Sequence, residues 1–225
     1  MSKHLQRDLD HLKDELLAMG SMVESAINKA IAALIERIVE LAEELLEGDT
    51  QINLKENQIE EECLKILALH QPVAADLRFI IVALKVNNDL ERIADLATNI
   101  AERSTYLSTH ENLDATLDFS KMTEDVRDMV QGSLDSLVDQ DTTLAQSVLS
   151  KDDDVDSINR KMFQTLQIHM KDKPETVERA VQLLSVSRYL ERLADQAPNI
   201  AEDVIFMVEG ELIRHHFTSH HKEES

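Results

Sequence analysis

Glu91, Asp95, Asn99 and Glu102 carry oxygen-bearing side chains at intervals of four, four and three residues, and Glu191, Asp195, Asn199 and Glu202 repeat the same intervals. On an α-helix these positions fall within a sector of roughly 80° at 3.6 residues per turn, so each set forms one acidic stripe. A second constellation recurs at i, i+4 spacing: Asp49 with Asn53, and Asp152 with Asp156. Where two such faces meet on neighbouring helices, three or four carboxylates gather. Clustered carboxylates repel one another unless a proton or a cation relieves them. Hard oxygen donors of this kind suit Mg²⁺, Ca²⁺ or Mn²⁺, with iron an option in a multinuclear site. The expected cofactor is a divalent cation, Mg, Mn, Fe or Zn. Two plainer readings stand beside this one. Each stripe could be the solvated face of an amphipathic helix, and Asp49 and Asp152 could be N-caps.

Repetition favours the chemical reading. Residues 91–102 read ERIADLATNIAE and residues 191–202 read ERLADQAPNIAE, with nine of twelve positions identical. A solvated face exchanges Glu, Asp, Lys and Gln freely, yet both copies keep the same four polar residues, as well as Arg92 and Arg192. The repeat extends outward through Leu90 and Leu190, Leu84 and Leu184, Asp49 and Asp152, and Gly20 and Gly132. The offsets drift from 112 to 103 to 100, so the joints carry small insertions or deletions. Each unit of about 105 residues is far longer than a solenoid repeat, so the pattern is a tandem duplication of a small domain.

Composition fixes what positions these residues. Hydrophobic residues make up 43% of the chain, enough for a core, while 4 Gly and 3 Pro in 225 residues favour helices over sheets and turns. There is no Trp, so the core is aliphatic and offers no stacking platform for bases. A formal charge of −21 repels a duplex or polyphosphate and excludes nucleic acid as a partner. Cys63 is the single cysteine, which rules out an intrachain disulfide and fits a reducing cytoplasm. No apolar signal region opens the chain, and no apolar run is longer than that of residues 79–84, which is too short to span a bilayer. No Glu is followed three residues later by His, against a ferritin-like diiron enzyme. The tail histidines His215, His216, His220 and His221 read as a solvated segment that could hold Zn²⁺ or Ni²⁺ loosely.

Helical spacing runs through residues 5–47, with a weak interruption at Gly48-Asp49 and a helix over 54–68. Pro72 opens the next helix, which reaches about residue 107. In the second unit a helix covers 119–138, and 139–142 form a turn with capping residues, which implies a matching break near 37–40. A helix then reaches about 170, and 171–174 start a last helix ending near 208. The expectation is an all-α protein of two tandem three-helix bundles, over 1–108 and 119–208, with a linker at 109–118 and a polar tail at 209–225. Pro198 removes a hydrogen bond to Ala194 and predicts a bend in the last helix that Thr98 does not impose on its counterpart.

Met19-Gly20, Gly48-Asp49, the segment QPVAADLR at 71–78, LERIAD at 90–95, LERLAD at 190–195 and NIAE twice together resemble the PhoU family, phosphate-signalling accessory proteins of bacteria. The resemblance covers almost the whole chain. It implies bundles related by pseudo-two-fold symmetry and no catalytic activity. It also implies a homodimeric cytoplasmic adaptor, peripheral to the inner membrane through its partners. Those partners would be the sensor histidine kinase of the phosphate regulon and the ATPase subunit of the phosphate ABC transporter, and the adaptor would restrain both. Carried residue by residue, one metal site would use Glu91 and Asp95 with Asp49 and Asn53. The other would use Glu191 and Asp195 with Asp152 and Asp156. Asn99, Glu102, Asn199 and Glu202 would be further ligands. Read from the residues alone, Asp76 and Arg78 either anchor the start of the helix that Pro72 opens or present a surface to a partner. Asn53 departs from the acidic pattern and lowers the charge of the first site. The alternative is a metal-binding or metal-storage helical protein, and a hydrolase built on the clusters is the weakest reading.

Overall fold

The computed structural model describes residues 3–210, apart from the side chains of Asp49 and Asp152. The tail histidines lie outside the described residues. The described fold is all-α: α1 (Lys3–Ile35), α2 (Val39–His70), α3 (Ala74–Ser108), α4 (Phe119–Asp139), α5 (Thr142–Leu149), α6 (Asp152–Asp172), α7 (Val177–Ala194) and α8 (Gln196–Glu209), with a 3-10 turn at Pro174–Thr176. Taking α5–α6 and α7–α8 as interrupted single arms, six arms make two three-helix bundles.

The apolar spacing dictates the first bundle. Leu5, Leu9, Leu12, Leu16, Met19 and Val23 recur every three or four residues on α1, and all are buried. The helix stops at Ile35, and Arg37 takes the left-handed region at φ 60°. That conformation costs a non-glycine residue about 1–2 kcal/mol. The Arg37 guanidinium offsets the cost by donating to the Asn112 side chain and to the carbonyls of Leu107 and His110, which ties the α1–α2 turn to the end of α3. Cys63, on α2, is buried, and its thiol is pushed up to about 12 by burial first and by Glu62 and Glu60 next.

Two expectations about breaks are corrected. Gly48-Asp49 does not interrupt α2, which runs on through both. A lone helical glycine costs only about 1 kcal/mol relative to alanine, too little to stop a helix packed along its length. The second arm of the other bundle, expected as one helix from 142 to about 170, breaks instead at Ser150-Lys151. Three aspartates follow, at 152–154. Aspartate is poor inside a helix and favourable in its first turn, where it meets the positive end of the dipole. The N-cap of α6 is Lys151, and Asp49 lies inside α2, so neither Asp49 nor Asp152 occupies an N-cap position. True caps stand elsewhere. Asp118 accepts from the Lys121 amide, and Asp141 accepts from those of Thr143 and Leu144.

The paired helices α3 and α7–α8 form the middle of the molecule. α3 is unbroken through Thr98, whereas its counterpart is interrupted at Asp195, three residues before Pro198. The two units meet along these arms. Asp203 of α8, buried at the join, accepts from Lys85 Nζ of α3 at 2.6 Å. Two glycines permit close approach. A Cβ on Gly20 would lie 3.4 Å from Leu134, and one on Gly132 would lie 3.0 Å from Val148.

Candidate metal centre and the paired acidic faces

Glu191 and Asp195 are one turn apart on α7 and its end, and α6 packs against that face with Asp156. One oxygen from each of the three lies within 4.8 Å of the others. Donors on one divalent ion sit no more than about 5 Å apart, twice a bond length of roughly 2.0–2.6 Å, so the group fits a hard cation. Among the described residues this is the only such trio of carboxylates. The break at Asp195 does not unmoor it, because its amide still donates to the Glu191 carbonyl at 3.0 Å. Arg160, one turn along α6, reaches Asp156 at 3.7 Å and is itself largely exposed.

The first unit arranges its acids differently. Glu91 and Asp95 share a face of α3, and Asn53 of α2 stands where Asp156 stands in the other copy. Glu56 joins this face. Burial raises its carboxyl above the usual range, and Glu60 and then Asp95 push it further in the same direction. The sequence reading missed Glu56. Its signal was present: it lies three residues after Asn53 and seven after Asp49, on the same side of the helix.

A buried polar contact beneath each face fixes how the copies correspond. In the first, Asn87 Nδ2 donates to the Glu56 carbonyl at 3.0 Å. In the second, Ser187 Oγ donates to Asn159 Oδ1 at 2.7 Å. Positions on α2 and α6 thus match at an offset of 103, and those on α3 and α7 at 100.

The other expected residues take up separate places. Asn99 turns its amide onto the Asp95 carbonyl at 2.7 Å. Glu102, Asn199 and Glu202 stand outside the carboxylate trio. Arg78 Nε donates to the Met207 carbonyl at 3.3 Å, near the end of α8, and its guanidinium packs beside Gly210 at φ 80°. Arg78 thereby joins the two units. Asp76, in the first turn of α3, lines the same cleft with Lys13 and Gln140.

The molecule is therefore a duplicated helical bundle with acidic faces on matching helix pairs, and no described helix is long and apolar enough to cross a membrane. Comparison with known proteins gives that class a family. The profile of the PhoU domain matches twice, at residues 16–104 and 119–204. The phosphate-specific transport system accessory protein PhoU homolog of Aquifex aeolicus is 40% identical over 94% of this chain and 96% of its own length. The Pseudomonas aeruginosa homolog is 38% identical over the full chain and 93% of its own length. The crystal structure of PhoU from Pseudomonas aeruginosa superposes with a TM-score of 0.88 at 39% identity, covering 92% of this chain and 99% of that one. The phosphate transport system regulatory protein PhoU from Streptococcus pneumoniae gives 0.86 at 30% identity, over 93% and 99%. The chain belongs to the PhoU family.

Proposed function

We propose that this protein is a non-catalytic adaptor that restrains the phosphate regulon. In this reading it couples the ATPase subunit of the phosphate ABC transporter to the sensor histidine kinase, and it is cytoplasmic, reaching the inner membrane through those partners. It acts as a homodimer. The observation that carries the reading is the two-fold match of the PhoU domain across both bundles, together with relatives named as accessory proteins of phosphate-specific transport. The formal charge of −21 suits basic patches on such partners and makes the encounter sensitive to salt.

The Asp156, Glu191 and Asp195 trio favours a second, compatible reading, that a divalent cation is part of the working protein. Asp152 would complete the set in the second unit. Asp49, Asn53, Glu91 and Asp95 would form a weaker site in the first.

A deletion strain carrying a phosphate-regulon reporter tests the adaptor role. In excess phosphate the reporter is expected to switch on, and full repression would reject the role. Complementation with Glu91, Asp95, Glu191 and Asp195 all changed to Ala then weighs the cation. A folded variant that fails to restore repression ties the cation to signalling, and one that restores it makes the cation incidental.

A further inference from the structure

Two clefts lie where the units meet, and the repeat makes them comparable. One is walled by the turn after α1, the end of α3 and the starts of α4 and α7. The other is walled by the turn after α4, the end of α8 and the starts of α1 and α3. At the offset of 100, Leu107 and Ser108 in the first cleft match Met207 and Val208 in the second, and Arg179 matches Phe79. At the offset of 103, Arg37 matches Gln140, and both are left-handed, at φ 60° and 54°. The clefts are two copies of one place in the fold.

Their chemistry differs. The second cleft mixes Asp10 and Asp76 with Lys13 and Arg78, and Arg78 is bonded to the Met207 carbonyl. The first holds two arginines, and Glu111 is the one acid among its described lining residues. Acids nearby are engaged elsewhere: Asp114 with Lys173 at 3.2 Å, Asp118 with the Lys121 amide and Glu178 with the Tyr106 hydroxyl. The linker forms one wall. Arg37 donates to its Asn112 side chain and His110 carbonyl, and Arg179 donates to its Glu111 carbonyl at 2.9 Å. That bond uses one N–H of the Arg179 fork and leaves donors for a ligand. Leu34, Leu107, Leu113, Leu117, Phe119 and Leu183 supply an apolar lining. The volume, about 350 Å³, falls in the range of roughly 300–1,000 Å³ typical of small-molecule sites, which combine an apolar lining with a few convergent polar groups.

We propose that this cleft binds a small anionic amphiphile, a carboxylate on a short apolar chain. The carboxylate pairs with Arg179, whose planar fork matches its two oxygens, and the chain lies among the leucines. The formal charge of −21 does not oppose this strongly, because exposed charges more than about 8 Å away are largely screened at physiological salt. The ligand touches both units and the linker at once, so it fastens the halves together. The inference stands apart from the phosphate-signalling reading, which the reporter assay tests separately.

Calorimetry on the full chain, with octanoate as the probe, tests it. Octanoate is expected to bind one to one and to raise Tm as its concentration rises. Octanamide, of the same length without the charge, should bind at least about tenfold more weakly. Arg179→Met should weaken octanoate by at least about tenfold, and Arg179→Lys by less. Ser120→Trp, at an exposed lining position, should obstruct the cleft without changing its charge. Lys13→Met, in the matching cleft, should leave binding unchanged. No octanoate binding by the wild-type chain, or equal binding of octanamide, would overturn the site, and neither comparison needs a variant to fold. Undiminished affinity in either Arg179→Met or Ser120→Trp, with circular dichroism showing the variant folded, would overturn it too, as would a loss in Lys13→Met equal to that in Arg179→Met.

Discussion

The helix pairs α2–α3 and α6–α7 descend from one sequence and have parted in a consistent way. Many of their buried positions stayed apolar: Ile52 matches Val155, Ile59 matches Met162, and Cys63 matches Leu166, although Ile66 gives way to His169. Their outer faces did not stay alike. One concentrates carboxylates around Glu56 and Asp95, with an amide at Asn53. The other gathers Asp156, Glu191 and Asp195 into a compact trio. Packing tolerates little drift, since even one methylene is felt in a dense core. A solvent face has no such restraint and diverges as far as its uses allow. Duplication therefore gave this protein two equivalent scaffolds with unequal chemistry.

The Lys85–Asp203 pair should show the largest effect, because the repeat does not duplicate it: the matching positions are Ser185 and Arg103. Lys85→Met leaves the Asp203 carboxylate buried without its ammonium partner and should cost about 3 kcal/mol in urea unfolding. A loss below about 1 kcal/mol would mean the join between units depends on apolar packing alone. The cation sites come next. Glu191→Ala with Asp195→Ala should weaken Mn²⁺ or Mg²⁺ binding by more than about 100-fold in calorimetry, since outer-shell partners alone are worth 10–100-fold. Glu91→Ala with Asp95→Ala should have the smaller effect. Equal losses would erase the distinction between the faces.

The two matched glycines give a finer test. Gly132→Ala forces a Cβ to within 3.0 Å of Val148 and should destabilise by about 1 kcal/mol. Gly20→Ala meets Leu134 at an ordinary contact distance and should gain up to about 1 kcal/mol of helix propensity. The same sign at both sites would argue that the helices shift to absorb a methyl. The smallest effect belongs to Glu56, whose carboxyl is raised by burial, Glu60 and Asp95. Its contribution to folding is fully present below its unfolded value, near 4.5, and is lost as pH rises through the higher folded value. Glu56→Gln should therefore raise Tm slightly at pH 7, by less than about 1 kcal/mol in stability, with the gain vanishing below pH 4. A Tm gain of equal size at both pH values would assign the effect to something other than charge.

Much of this was legible in the chain. Apolar spacing gave the helical content, and the offset between ERIAD and ERLAD gave the duplication. Thr98 against Pro198 marked which central arm is interrupted. The breaks in the second arms were read in the wrong copy, because Gly48 is a local signal that packing overrides, while the three aspartates at 152–154 act through the dipole of a helix whose start was not yet placed. Glu56 was passed over because its counterpart is Asn159, and comparison between copies finds only what both retained. The linker cleft was invisible for the same reason. Arg179 and Phe79 share a position but no chemistry, and only the fold brings Arg37, Arg179 and the leucines around one cavity.

Cys63 offers a clock. Thiolate, not thiol, reacts with alkylating reagents, and a buried thiol held near 12 yields almost none at pH 8. Labelling must then wait for α2 to lift away from its neighbours, and its rate becomes the opening equilibrium multiplied by the reactivity of an exposed cysteine. With one cysteine in the chain, the signal comes from the first bundle alone. In a Glu91→Ala, Asp95→Ala variant, which removes the weaker first site, adding a cation that binds at the second bundle would slow the labelling if the halves open together and leave it untouched if they open one at a time. One mass shift followed over time would thus report whether a duplicated protein still unfolds as two.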